Sequence, residues 1–127
     1  MKESFNELVE ALWQCREKCP WAKGMTIEGM ADEIRKEAEE IKAAVGAKNF
    51  DEIREEVGDT IMVCIYLALI AEEKGVFTIK DVFKDVTEKL KRRKPWVFGD
   101  EKITTIEGAI KRWKEIKAKE KKEKNSI

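Results

Sequence analysis

Residues 33–71 read EIRKEAEEIKAAVGAKNFDEIREEVGDTIMVCIYLALIA, and this stretch decides the fold. Two helical patterns lie on either side of a short break at Gly46–Asn49. Glu37 and Glu40 stand three residues apart in the first, and Glu56 and Asp59 three apart in the second. Side chains at that spacing project from neighbouring turns of one helix face. A break this short favours an antiparallel pair, which lets the two carboxylate pairs converge. Four clustered carboxylates repel one another unless a hard cation lies between them.

The first helix of the pair has Thr26 as a capping residue and an apolar stripe of Ile27, Met30, Ala31, Ile34, Ala38, Ile41 and Val45. Glu33, Glu37 and Glu40 run along one flank of it; on this helix alone, an ordinary solvated flank would look the same. The second helix runs from about Phe50 to Lys74, capped by Asn49 or Asp51. Its first half is acidic and its second half apolar on every side. Asp59 therefore lies at the mouth of a buried segment, where an unpaired carboxylate costs several kcal/mol in order of magnitude. A cation or a basic partner should accompany it. Gly58 costs roughly 1 kcal/mol relative to alanine, which a close ligand, a close backbone or a tight helix crossing would explain. The run from Ile61 to Ala71 is too short to span a bilayer. It is also apolar all round, whereas a helix of a four-helix monomer keeps one wet side, so a second copy of the chain is expected to cover the remainder.

The whole chain has 127 residues, enough for one domain with a core. Lys+Arg and Asp+Glu balance at 26 each, which argues against a general nucleic-acid binder. Histidine is absent, so histidine-based catalysis and histidine-containing zinc sites are excluded. Cys15, Cys19 and Cys64 lack CxxC spacing and fit free thiols in a reducing cytosol. The N-terminal MKESFNEL carries no apolar signal region, and a cytoplasmic protein with no membrane partner is expected.

Before the central pair, Phe5, Leu8, Val9, Leu12 and Trp13 repeat at helical spacing, with Ser4 and Glu7 as a capping box and an end near Lys18. Cys19-Pro20-Trp21 reads as a loop, because Pro20 lacks an N–H and restricts its predecessor. Trp21 is either a packing anchor or a surface on which a base can stack. After the pair, Gly75 ends the helix and Thr78 with Asp81 opens a fourth, with a stripe of Ile79, Val82, Phe83, Val86 and Leu90. Its basic end, Lys89-Leu90-Lys91-Arg92-Arg93-Lys94, either complements the helix C-terminus or clamps phosphate. Trp96, Val97 and Phe98 read as loop. Thr104 and Glu107 open a last helix, with Ile106, Ile110, Trp113 and Ile116 inward. From Lys117 the pattern fades. The expected organisation is one all-α, four-helix-bundle-like domain over residues 1–117 with an additional terminal helix, followed by a charged, frayed tail over 118–127.

Four blocks in order resemble those of the MazG-type nucleoside triphosphate pyrophosphohydrolases. They are Cys19-Pro20-Trp21-Ala22-Lys23, similar to CPWDK; Lys36-Glu37-Ala38-Glu39-Glu40, similar to EExxE; Glu56-Val57-Gly58-Asp59, similar to ExxD; and residues 89–100, KLKRRKPWVFGD, similar to KLxRRHPHVFGD. Trp113-Lys114-Glu115-Ile116-Lys117 is a weaker match to WExIK. The chain departs from the pattern at Ala22, Lys36, Lys94 and Trp96. The resemblance implies an all-α fold assembled as a homodimer or tetramer. It implies Mg²⁺-dependent hydrolysis (Mn²⁺ being an alternative ion) of nucleoside triphosphates to monophosphate and pyrophosphate, in nucleotide-pool house-cleaning. Glu37, Glu40, Glu56 and Asp59 match the metal-binding and catalytic acids, and Trp21, Lys23, Lys89, Arg92 and Arg93 stand in blocks implied to contact substrate. Two other readings stay open from the residues: a non-enzymatic helical interaction module, and a phosphohydrolase that releases single phosphates.

Overall fold

Two side-chain caps open the central helix pair. Thr26 Oγ1 accepts from Gly29 N at 3.0 Å and starts α3 (Ile27–Gly46); Asn49 Oδ1 accepts from Glu52 N at 3.2 Å and starts α4 (Phe50–Glu73). Gly75, with φ of 71°, closes α4: its N–H bonds Glu72 O and the next N–H bonds Ala71 O, each at 3.0 Å. The computed structural model describes residues 1–125, in which the remaining elements are α1 (Lys2–Lys18), α2 (Pro20–Lys23), α5 (Ile79–Arg93), α6 (Pro95–Phe98) and α7 (Ile106–Asn125). The fold is all-α, and among the described residues there is no strand. Nor is any described helix long and apolar enough to cross a membrane.

The chain forms two compact units, Met1–Ile79 and the part from Lys80 onward, where one domain over residues 1–117 is expected from sequence. The first unit holds the core. Leu12 of α1, Ala22 of α2, Met30 of α3, and Val63, Ile65, Tyr66, Leu69 and Ile70 of α4 pack there, with Phe5, Leu8, Trp13 and Ile34 partly buried against them. Within the run from Ile61 to Ala71, the residues from Ile65 onward are almost all buried, so the uncovered apolar positions of α4 fall earlier. Val57, Ile61 and Cys64 are exposed and share one helical face.

Element boundaries and caps differ from the sequence expectation at five places. α1 starts upstream of the expected capping box, since Phe5 N already bonds Met1 O at 3.0 Å, and Ser4 lies inside the helix. Cys19-Pro20-Trp21 is not loop but the start of a one-turn helix. Pro20 takes the first position, where no N–H is needed, and Cys19 Sγ accepts from Ala22 N at 3.5 Å. Trp96–Phe98 likewise belong to the turn α6, begun by Pro95. Thr105 rather than Thr104 caps α7, with Oγ1 accepting from Gly108 N at 3.0 Å. Finally, the frayed tail expected from residue 118 is helical to Asn125; residues 126–127 lie outside the described residues.

Long-range ion pairs explain the last difference. Glu120 of α7 accepts from Arg92 and Arg93, at 3.2–3.4 Å. Arg93 also lies over the Trp113 ring, 5.2 Å from its centroid, and Arg112 pairs with Glu101 at 2.8 Å. The second unit has little apolar burial to match. Trp113 and Ile116 are half-buried, but Ile106 and Ile110 are exposed, contrary to the expected inward stripe. The α5 stripe of Val82, Phe83, Val86 and Leu90 is also exposed.

Leu69 has no exposed surface. Leu69→Ala is expected to destabilise the chain by about 2–5 kcal/mol in chemical denaturation.

Candidate active site

The α3–α4 pairing brings acids from both helices together. Glu37, Glu56 and Asp59 each offer a carboxylate oxygen, and the three oxygens lie within 4.8 Å of one another. Glu40 is more exposed and adjoins the trio through Glu56. The Oε2 atoms of Glu37 and Glu56 are buried and have no hydrogen-bond partner. A buried carboxylate oxygen left unpaired is costly, so both atoms call for a proton or a cation.

The electrostatics show the same crowding. Hydrogen bonding with Glu40, then with Glu37, pushes the Glu56 carboxyl up to about 8, with burial adding to the rise. Glu37 is raised mainly by burial, with Glu40 and Asp59 adding repulsion. The cluster without a cation therefore keeps protons that isolated carboxyls would lose. An all-oxygen, acid-rich donor set with two unsatisfied buried oxygens fits a hard divalent ion such as Mg²⁺ or Mn²⁺.

A cleft of about 380 Å³ opens on this cluster, lined by Trp21, Met25, Met30, Glu33, Glu37, Asp59, Met62, Val63 and Tyr66 among others. Its lining joins carboxylates to sulfur-bearing and aromatic side chains. Trp21 is 81% exposed, so it is no core anchor and its ring is open for stacking at the cleft. Burial, with help from Cys15, pushes the Tyr66 phenol up to about 12 and keeps it neutral. Glu33, which helix periodicity alone does not distinguish from a solvated flank, lines the cleft and pairs with Lys36 at 3.2 Å.

The structure does not bring every expected residue to this cleft. Lys23 lines a separate cavity of about 490 Å³ with Arg16, Met25, Thr26, Glu73 and Lys74. Lys89, Arg92 and Arg93 belong to the second unit. There the two arginines hold the Glu120 carboxylate, Arg92 foremost, and keep it below the ordinary carboxylate range. Sequence periodicity gives no sign of this pairing, because the partners are 27 and 28 residues apart.

A family model described as the MazG nucleotide pyrophosphohydrolase domain matches residues 25–98. A Thermotoga maritima protein named nucleoside triphosphate pyrophosphohydrolase/pyrophosphatase MazG is 40% identical over 131 aligned residues, covering 99% of this chain and 50% of that protein. The nucleoside triphosphate pyrophosphohydrolase of Escherichia coli K12 is 33% identical, over 84% of this chain and 40% of that protein. The chain thus spans about half the length, or less, of these curated relatives. The crystal structure of a mazG-related protein from Thermotoga maritima superposes with a TM-score of 0.78 at 34% identity, covering 89% of this chain and 98% of that one.

Glu56 binds its proton more tightly in the folded chain than in the unfolded one. Its stabilising contribution is complete below its ordinary value near 4.5 and is lost as pH rises through about 8. Metal-free protein is therefore expected to melt at a lower temperature near pH 8.5 than near pH 5, and Glu56→Gln should remove much of that difference. Thermal melts of both proteins with a chelator present make the comparison.

Proposed function

Because the chain belongs to the MazG nucleotide pyrophosphohydrolase domain family, we propose that it hydrolyses nucleoside triphosphates to nucleoside monophosphate and pyrophosphate. The observation that carries this reading is the carboxylate trio within 4.8 Å, with two buried oxygens lacking partners, of which Glu37 and Asp59 line a cleft that also holds an open tryptophan ring. Mg²⁺, with Mn²⁺ as an alternative, would be held by Glu37, Glu56 and Asp59, with Glu40 beside them. When bound, such an ion polarises a phosphoryl group and acidifies a coordinated water.

The protein's own groups do the rest. Glu37 or Glu40 takes the proton of the attacking water. Trp21 stacks on the base, and its exposure supports that role. Arg92 and Arg93, with Lys89, neutralise the departing pyrophosphate. Their present grip on the two oxygens of Glu120 supports an oxyanion-binding role. Lys23, two residues from Trp21, is the remaining candidate for substrate contact, from the neighbouring cavity. The physiological setting we infer is cytoplasmic house-cleaning of the nucleotide pool.

In ¹⁸O-water, turnover with Mg²⁺ is expected to label the nucleoside monophosphate and leave pyrophosphate unlabelled. Label in free phosphate beside a diphosphate product would instead indicate attack at the terminal phosphorus. Asp59→Ala should lose turnover while remaining folded by circular dichroism, since its charge is repelled by its neighbours in the metal-free state. Full activity of that variant would move the site elsewhere. An interaction module with surface acids would show no rise in melting temperature on adding Mg²⁺ beyond the effect of ionic strength.

We also propose self-association as a homodimer or tetramer. The exposed apolar residues Val57 and Ile61 on α4, and Val82, Phe83, Val86 and Leu90 on α5, support it. Light scattering at micromolar concentration should give at least twice the 14.7 kDa chain mass. A monomer mass would refute the assembly.

A further inference from the structure

Arg16 stands outside the cluster of acids, yet it is the most heavily engaged cation of the first unit. It lies in the last turn of α1, and its side chain is 10% exposed. Its guanidinium grips Glu73 in the last turn of α4 with two bonds, Nε to Oε1 at 3.1 Å and Nη2 to Oε2 at 2.5 Å. The third nitrogen, Nη1, donates to the carbonyls of Ala22 and Met25, the latter at 3.3 Å. Hydrogen bonding to Glu73 raises the arginine further above its already high range and lowers the glutamate. This side chain stays charged, and its planar fork fixes three partners at once.

The two carbonyls bracket the turn between α2 and α3. That turn is internally bonded: Gly24 N donates to Trp21 O and Met25 N to Ala22 O, each at 3.1 Å. Ala22 is buried and Trp21 is exposed, so the turn acts as a short arm with an apolar foot and an aromatic tip. Trp21 and Met25, at either end, both line the acid cleft. Whatever holds the two carbonyls therefore sets where ring and thioether stand relative to Glu33, Glu37 and Asp59.

We propose that Arg16 is a positioning residue for the base end of the substrate: by holding the Ala22 and Met25 carbonyls to the last turn of α1, it fixes the Trp21–Met25 turn against the acid cleft. This rests on the pyrophosphohydrolase reading and adds a division of labour to it. The acids and the basic segment act on the phosphates, which every nucleotide shares. The turn acts on the base, and Arg16 governs it without touching substrate.

The test uses the full chain with Arg16→Lys and Glu73→Gln. Lysine keeps one charge but cannot reach Glu73 and both carbonyls together. Arg16→Lys should raise KM for the preferred nucleoside triphosphate roughly tenfold, with kcat within about twofold, as displacement of a positioning element does. Inhibition by inorganic tripolyphosphate, which has no base, should be unchanged, as should Mn²⁺ binding. Hydrogen exchange should quicken at the amides of residues 21–26 and stay unchanged in the middle of α3 and α4. Glu73→Gln leaves the carbonyl bonds in place, so it should lower the melting temperature without moving KM.

Three results would overturn the proposal: an unchanged KM in Arg16→Lys, weakened tripolyphosphate inhibition alongside the KM change, or the same KM change in Glu73→Gln in step with its stability loss. Wild-type protein that turns over no nucleoside triphosphate would instead sink the reading on which the proposal rests, and that outcome is distinct from all three.

Discussion

Carboxylates forced together across α3 and α4 are the constraint on which the first unit depends. Left to themselves, Glu37, Glu56 and Asp59 would push the two helices apart. They are held by the apolar packing below them, where Met30 of α3 and Val63, Ile65, Tyr66, Leu69 and Ile70 of α4 are buried. Packing and repulsion thus act on the same helix pair at different levels. The acidic first half of α4 supplies Glu56 and Asp59 to the cluster, and the apolar second half supplies the force that keeps the acids in place. The Glu56 carboxyl, pushed up to about 8 by hydrogen bonding with Glu40 and Glu37, reflects the crowding of the cluster when no cation is present. A cation would reverse the balance by turning mutual repulsion into shared attraction.

That arrangement was legible in the sequence because its determinants are local. Thr26, Asn49 and Gly75 mark ends of the pair, and each does so in the structure through its own side chain or its own backbone angle. The three-residue spacing of the acids, together with the short connection, then suffices to bring Glu37, Glu56 and Asp59 together. What was not legible depends on partners distant in sequence. Nothing near Arg16 shows that it will meet Glu73, 57 residues away, or that its fork will hold two carbonyls of the next turn. Nothing near Lys117 shows that Glu120 will be taken by Arg92 and Arg93, so loss of apolar periodicity predicts fraying where ion pairs continue the helix. Cys19 and Pro20 misled for a different reason. A sulfur cap with proline in first position starts a helix as readily as it breaks one.

The departure at Ala22 gains meaning from the same turn. The resembling block carries aspartate there, whereas Ala22 is buried in this chain. A carboxylate in that position would need a partner within the core, since an isolated buried charge is far more costly than a methyl group. With alanine, the guanidinium of Arg16 is satisfied by Glu73 and by backbone oxygen instead. The turn is thus held by the main chain, and the identity of the side chain at position 22 is uncoupled from its position.

The phosphate-binding role proposed for the arginine pair of the second unit is compatible with its occupied ion pair. Glu120 supplies one negative charge against two guanidiniums, so the pair remains net positive after both have bonded. Lys117, Lys121 and Lys124 line the same cavity of about 660 Å³, where five basic residues face two acidic ones. An incoming polyphosphate would meet residual positive potential before displacing anything. It would also bring more oxygens than Glu120 does, in a geometry that guanidinium forks accept two at a time. Arg92 is the half-exposed member and Arg93 the more buried one, stacked over Trp113. Exchange of Glu120 for phosphate would therefore begin at Arg92, while Arg93 keeps α5 and α7 joined through the ring.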